Sequence, residues 1–599
     1  MYDYAQVHVK YTIPPAIVLT IVLAPLFTRR DIFKICFLLV VAVAYTIPWD
    51  SYLITTGVWT YPSDVIVGPT VFDIPAEELF FFIIQTYITA CLQILLSKSV
   101  VTATYLHNEA DGQDPVGRSL KKRKRVGQVI LSLCSILPLF MRGGHATGTY
   151  MKLILVWAGP VLFMLWTFAY QLLLTFSWSK TWLPIMLPTL YLWVIDTLAL
   201  RRGTWCIESG TKLGIQVWPH LDIEEAVFFL MTNTLVVCGS IAYDNAAAVL
   251  DAFPSTFAVV PGIPSPALLL KGIFLSTSKY DIARIRGLQN ALEVLARKSR
   301  SFYLASGVFA GRLRIDLILL YAFCRVADDL IDDAPSAEEA DSWVKHFSNF
   351  LDTAYSPKYD RARFEQALAP FPAKAQSILV LLPTDKLPPQ PLYSLLDGFR
   401  MDQRFFRKGP NQDPPIQTFA DLERYASCVA ATIGELCLSL VYQHDPDHLT
   451  DETTKQKCVA AGGEMGRALQ YINIVRDVTT DAQSGRCYIP NEWFNKSSAS
   501  SPVKHNEEVA RHRKRILDIA FAIYAENRDA IEELPRYARD GIRVAVESYM
   551  EIGRVMRDRM QEGKPLDFTG GGKKGRASVP KWTRIWVGWR TMAGWRGSA

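Results

Sequence analysis

No two of the ten cysteines scattered along the 599 residues stand in a C-x-x-C spacing. A chain this long does not need disulfides to hold a core, and without paired spacing a cysteine metal site has nothing to rest on, so the thiols are expected to be reduced and structural. Net charge is also scarce. A formal +6, with basic residues beside apolar segments and not in an aromatic-studded patch, argues against nucleic acid as a partner. His444 and His448 are four apart, but Pro446 between them keeps them off one helical face, so no metal site is expected there. The one G-x-G-x-x-G match, at Gly570, Gly572 and Gly575, follows no strand and sits in a lysine-rich tail, so no dinucleotide-binding fold is read from it.

What charge there is lies mostly in the second half, and the length calls for two or more units. The chain reads as all-α throughout. Residues 1–249 form an expected polytopic membrane domain, 250–278 a linker, 279–570 a helical domain and 571–599 a basic, tryptophan-rich tail. Apolar runs at about 13–27, 32–48, 79–97, 127–141, 151–175, 181–200 and 226–243 predict seven spans. One lysine precedes the run at Ile17–Phe27 and no small-residue cleavage site follows it, so the first span is expected to be retained. Arg29, Arg30 and Lys34, and the run from Lys121 to Arg125, mark cytosolic loops by the positive-inside rule. The stretch from Trp49 to Glu78 has five carboxylates and no Lys or Arg, which places it on the other side.

An internal repeat overlies these spans. Asp50, Gly57 and Trp59 recur with identical spacing as Asp196, Gly203 and Trp205. Each copy then reaches an acidic pair at the start of the next span: Glu77 and Glu78, then Glu224 and Glu225, with one inserted residue in the second copy. The copies are four spans apart and so share an orientation, which brings six carboxylates to one membrane face. Carboxylates there are costly unless paired, hydrated or used. One pair would serve as an interfacial cap on a helix N-terminus. Two matched pairs, each with its Asp and Trp, point to proton-initiated chemistry in which a carboxylic acid protonates an alkene, aromatic faces steady the cation and a carboxylate removes a proton. At these residues 1–245 resembles the lycopene cyclase family whose two small membrane subunits are separate in some bacteria and fused in fungi. The resemblance implies closure of linear ends to β-rings without net redox change, with Asp50, Glu77, Glu78, Asp196, Glu224 and Glu225 as its catalytic candidates.

Beyond the linker, amphipathic periods predict long helices near 314–334, 419–443, 451–480 and 507–560, with loops at about 383–391 and 407–416. Two acidic constellations fall on them. Asp328 and Asp332 share one helix face, and Asn473, Asp477 and Asp481 line another. Hard oxygen ligands of this kind suit Mg²⁺, with Mn²⁺ as a substitute, bridging carboxylates to substrate phosphates. A solvated acidic helix explains such a stripe less well, because both lie within apolar helical sequence and carboxylates there are expensive unless ligated.

These residues, with KSRSFY, ERYASCVAATIGE and RCYIP, closely resemble the phytoene and squalene synthase family of head-to-head prenyl condensing enzymes over about 290–560. The resemblance implies Mg²⁺ ligation by Asp328, Asp332, Asn473, Asp477 and Asp481. It implies substrate contacts by Ser301, Tyr321, Arg325, Tyr425, Gln470, Arg476 and Tyr549. Ala430-Ala431 stands where many relatives have Ala-Gly or Gly-Thr. Two geranylgeranyl diphosphates would give phytoene by proton loss, whereas a squalene-type product requires a nicotinamide for which no fingerprint is present. The cyclase-like half favours phytoene, since lycopene and phytoene belong to one pathway. Rival readings are a squalene-synthase-like enzyme with an N-terminal anchor, or a seven-span receptor or pigment. The run Ala226–Tyr243 has no lysine for a retinal Schiff base, which counts against a pigment. Trp582, Trp586, Trp589 and Trp595, interleaved with Lys573, Lys574, Arg584 and Arg590, suit a membrane interface as well as a loose tail. The expected partners are geranylgeranyl diphosphate, lycopene and membrane lipid, with other carotenoid-pathway enzymes as further candidates.

Overall fold

The computed structural model describes residues 3–594 except 63, 112–113, 141–146, 359, 406–413, 446–449, 495–501, 565 and 567–578. His448, the three glycines of the tail motif, Lys573, Lys574 and Trp595 therefore lie outside the described residues. The chain forms two compact units, Met1–Ile285 and Arg286–Ala599.

In the first unit, six helical stretches are long and apolar enough to cross a membrane: Asp3–Leu26, Arg29–Thr55, Ala76–Ser97, Thr149–Thr175, Leu183–Arg202 and Ile223–Ala252. The predicted span at 127–141 is the second half of a helix, Pro115–Ile136, whose first half carries the Lys121–Arg125 run. That run is thus helical and not a loop, and its charge keeps the whole helix from reading as a span. Its apolar half still turns Val129, Ile130 and Leu133 outward. A seventh stretch of sufficient length and apolarity, Phe419–Gln443, lies in the second unit.

Local chemistry sets the helix ends. Thr28 and Asp31 form a reciprocal capping box at the start of Arg29–Thr55. Gly57 and Gly203, the glycines of the repeat, follow the two helices that carry Asp50 and Asp196, with φ of +72° and +73°. A helix stop of that left-handed kind strains any residue with a Cβ, which explains the repeated glycine. Between these helices, buried polar groups pair with one another: Thr89 donates to Asn233 at 2.7 Å, Asn233 to Thr189 at 3.0 Å, and Ser240 to Gln93 at 2.7 Å. Three ion pairs join the Arg29 end of its helix to its neighbours: Arg30 to Asp251, Lys34 to Asp244 and Asp31 to Lys98. The segment read as a linker holds a helix, Pro266–Ile273, capped by Ser265 and packed through Gly272 against the Ala246 carbonyl.

The second unit is helical and buries one large core around Phe323, Phe347, Phe350, Leu436, Tyr471 and Phe521. Glu452–Gln483 runs through it, against 419–443, 502–527 and 536–561. The 507–560 stretch is two helices, not one: a 3₁₀ turn over Arg528–Glu533 and Pro535 divide it, since proline cannot donate within a helix. Within Phe419–Gln443, residues Ser427–Ala431 form a π-helical turn. Glycines let Glu452–Gln483 pass close to that turn. A Cβ on Gly466 would sit 2.3 Å from the Ala430 carbonyl oxygen, and one on Gly434 would sit 2.2 Å from that of Gly462.

Candidate functional site

Two sites emerge, one in each unit. In the first, the two copies of the repeat meet. Trp59 pairs with Ile207 and Thr60 with Cys206 in a short antiparallel ladder. Each Glu pair opens a helix, Ala76–Ser97 or Ile223–Ala252, where unpaired backbone amides make the end positive. The first Glu of each pair does the same work in both copies. Glu77 accepts from the Val67 amide and Glu224 from the Leu213 amide, both at 2.6 Å. These bonds close the acidic loop back onto its helix.

The second Glu of each pair and the two aspartates are deeply buried: Glu78 1%, Glu225 0%, Asp50 1% and Asp196 0% exposed. Here the copies diverge. Glu78 accepts from the Tyr4 and Tyr61 hydroxyls, the latter at 2.8 Å. Glu225 has a single phenol beside it, that of Tyr150, without a well-formed hydrogen bond between them. Asp196 accepts from Trp205 Nε1 at 3.1 Å, whereas Trp59 Nε1 makes no such bond to Asp50. Aromatic faces close over the group: Trp49 stacks on Trp157 at 4.8 Å, and Phe228 meets Phe229 at 5.3 Å. A cavity of about 20 Å³ lies between Glu78, Asp196, Trp205 and Phe229. It has room for about one water molecule.

Tyr4 and His8 were not legible as site residues. His8 Nε2 donates to the Glu77 carbonyl at 3.0 Å, and its ring stacks on Tyr4 at 5.1 Å. A π-helical turn over His8–Thr12 places them there. The aromatic and histidine at i and i+4 ahead of the first span were the only signal.

The second site is a cavity of about 430 Å³ in the helical unit, within the usual range for a small-molecule pocket. Tyr321, Arg325, Asp328, Tyr425, Gln470, Asn473 and Tyr549, all expected from the sequence, line it together. Most of the remaining wall is apolar, from Leu317 and Phe399 to Met465 and Val546. Phe302 stands between Tyr321 and Tyr549, at ring distances of 5.7 and 5.3 Å. The side chain of Ser301 is outside the described residues.

Charge balance at this polar end comes from arginines. Arg325 bridges Asp328 and Asp329, each at 2.6 Å. Asp332 is gripped by Arg486 and Asp477 by Arg476, and neither carboxylate, nor Asp481 or Arg476, lines the cavity. Burial, and then the nearby Asp332 carboxylate, push the Asp328 carboxyl up to about 6. Among the described residues no three acidic, histidine or cysteine side chains converge as a metal cluster. The donor chemistry nonetheless fits a hard cation. Asp328 and Asn473 reach the cavity from different helices, and the buried Asn473 Oδ1 has no hydrogen-bond partner.

Asp402 is a further site residue the sequence did not reveal. It lines the cavity and accepts from Tyr425 at 2.9 Å and Tyr488 at 2.8 Å. Burial pushes its carboxyl up to about 7 against those two hydrogen bonds. A single aspartate without a second acidic residue at helical spacing carries no sequence signal.

Residues 295–583 match the family model for squalene/phytoene synthase. The whole chain aligns with bifunctional lycopene cyclase/phytoene synthases. Those of Phaeosphaeria nodorum and Pyrenophora tritici-repentis are each 49% identical over 99% of this chain and 99% of their own. That of Leptosphaeria maculans is 47% identical over 99% of this chain and all of its own. The chain belongs to the bifunctional lycopene cyclase/phytoene synthase family. Both sites of this family member thus fall in stretches covered by these relatives, the carboxylate cluster in the first unit and the cavity in the second.

Proposed function

We propose that the chain is an integral membrane enzyme with two activities. Its helical unit joins two geranylgeranyl diphosphates head to head, through a cyclopropyl intermediate, prephytoene diphosphate, to phytoene. Its first unit closes lycopene ends into β-rings. The observation that carries the reading is the pairing of two unlike sites in one chain: buried carboxylates under aromatic faces, and an apolar cavity with an Asp, Asn and Arg end.

In the condensing unit, Asp328, Asn473 and Asp481, with Asp332 and Asp477 once Arg486 and Arg476 let go, are the residues that would hold Mg²⁺. The metal would supply neutralising charge to the departing diphosphate. Arg325, on the cavity wall, binds the same diphosphate. Tyr321, Phe302 and Tyr549 present ring faces toward the allylic cation left behind. The apolar wall holds the two prenyl chains and excludes water, which would otherwise trap that cation as an alcohol.

In the cyclase unit we read Glu225 as the acid. Only the Tyr150 phenol lies beside its carboxyl, without a well-formed hydrogen bond, whereas Glu78 accepts from two phenols and is suited to remain the carboxylate. Glu225 protonates the terminal alkene of a lycopene end, Trp205, Phe228 and Phe229 face the cyclised cation, and Glu78 removes the ring proton. Asp50 and Asp196 complete the buried proton-exchanging group. The charge asymmetry of the sequence supports placing the acidic loops on the membrane face opposite the condensing unit.

The test is expression in a host that makes geranylgeranyl diphosphate, with and without supplied lycopene, followed by identification of the pigments. Phytoene in the first case and cyclised carotene in the second are expected. Nicotinamide-dependent squalene-type product would overturn the condensing reading, and unchanged lycopene beside folded protein would overturn the cyclase one.

A further inference from the structure

The tryptophan-rich segment near the C-terminus has no part in either site. Residues Lys581–Met592 form a helix whose inner face, Val587, Gly588 and Thr591, is buried and packs on the helix Arg536–Gln561. Arg590 pairs with Glu551 at 3.3 Å, and Arg584 Nε donates to the Val579 carbonyl at 2.8 Å. The helix is therefore fixed to the body of its unit.

Its outer face is unlike the rest of that unit. Trp582, Ile585 and Trp586, at i, i+3 and i+4, are 78%, 40% and 54% exposed. Among the described residues after Ile285, only one other large hydrophobic side chain, Val380, is comparably exposed. Scattered exposed apolar residues need no explanation, but a ridge concentrated on one helical face marks a contact surface. Trp586 also stacks on Trp589 at 5.4 Å, which widens the ridge.

Charge selects the occupant. Residues 571–599 contain seven Lys and Arg and no Asp or Glu. A second copy of this chain would bring two such segments together and set like charges against each other. A bilayer surface with anionic headgroups answers both features, because tryptophan settles at the headgroup level and basic residues are drawn to it. We propose that the Lys581–Met592 helix seats the condensing unit on anionic lipid through Trp582, Ile585 and Trp586. The inference rests on the reading of the first unit as membrane-embedded. Its consequence is that a product as apolar as phytoene need not leave the cavity into bulk water.

The experiment uses the full chain in nanodiscs of phosphatidylcholine, with and without phosphatidylserine, each carrying a radiolabelled lipid. The photo-crosslinking residue p-benzoylphenylalanine replaces Trp582 in one variant and Val380 in another. A lipid adduct is expected from position 582, not from 380, with a yield that rises about fivefold or more on adding phosphatidylserine. In a third variant the crosslinker replaces Ile585 beside Trp586→Glu, a change at a half-exposed side chain, and its lipid adduct should be lost. Adducts only to protein at position 582, or equal lipid adducts at 582 and 380, would overturn the proposal. Failure of the chain to enter nanodiscs at all would instead overturn the membrane reading on which it rests.

Discussion

Thr60 and Cys206, the residues that follow the repeat tryptophan in each copy, pair with each other across an antiparallel ladder. Two equivalent positions can face one another in that way only about a local two-fold axis. On either side of the axis the copies match at Gly57 and Gly203 and at Glu77 and Glu224, then part at Glu78 and Glu225. A symmetric scaffold thus holds two carboxylates in unlike surroundings, two phenols on Glu78 and one beside Glu225, which is what the proposed acid and base need. The pairing is directly testable. Thr60→Cys should form a disulfide with the native Cys206, an exposed free thiol, under mild oxidation, read by non-reducing peptide mass mapping. Absence of that peptide would refute the ladder.

Glu225→Gln keeps size but removes the transferable proton, so cyclisation should fall by roughly 10²–10⁴-fold while phytoene synthesis continues. Glu78→Gln should fall as far. Tyr4→Phe removes only one of the two phenols on Glu78 and should cost about tenfold, a typical share for one hydrogen bond to a charged group. Carotenoid analysis with supplied lycopene ranks the three. Equal losses in Tyr4→Phe and Glu78→Gln would mean that Tyr4 holds the loop and does not tune the carboxylate.

On the condensing side, Asp328→Ala and Asp477→Ala should each lower phytoene formation by about 10²–10³-fold, with lycopene still cyclised. Chelation of divalent cations should abolish phytoene formation and leave cyclisation unchanged. Near-normal turnover of either alanine variant, measured on geranylgeranyl diphosphate, would remove that residue from the ligand set.

Asp402 ties stability to pH. Its carboxyl ordinarily titrates near 4 and is pushed up to about 7 in the fold, so between those values the folded state keeps a proton that the unfolded state has released. Stability should therefore fall as pH rises from about 4 to about 7 and level off above. Asp402→Asn should flatten this part of the profile, as followed by thermal unfolding of detergent-purified protein. An unchanged slope in the variant would assign the effect elsewhere.

Much of this was open to reading because it repeats or is periodic. The all-α class, the repeat and the placing of each acidic set on one helix follow from spacing alone. The rest depends on contacts distant in sequence. Asp402 matters through Tyr425 and Tyr488, and Tyr4 through Glu78, which lies 74 residues away. Two departures did leave local traces. Pro535 signals the break in 507–560, and Ser265 before Pro266 is a helix start inside the segment read as a linker. The basic run misled because charge alone does not tell a loop from the polar turns of a helix.

The π turn at Ser427–Ala431 has a consequence for how the cavity is lined. Tyr425, Val429, Ile433 and Cys437 all face it at steps of four residues. An α-helix turns about 100° per residue, so a step of four overshoots a full turn by about 40°, and three such steps carry a side chain about 120° out of line. The wider turn absorbs part of that drift. One helix can thereby keep this row, and the row of Ala430, Gly434 and Leu438 beside it, aimed at a long, narrow substrate. Deleting a residue there would restore the ordinary pitch and swing Ile433 and Cys437 off the wall, shortening the chain length that the cavity accepts while the helix itself survives.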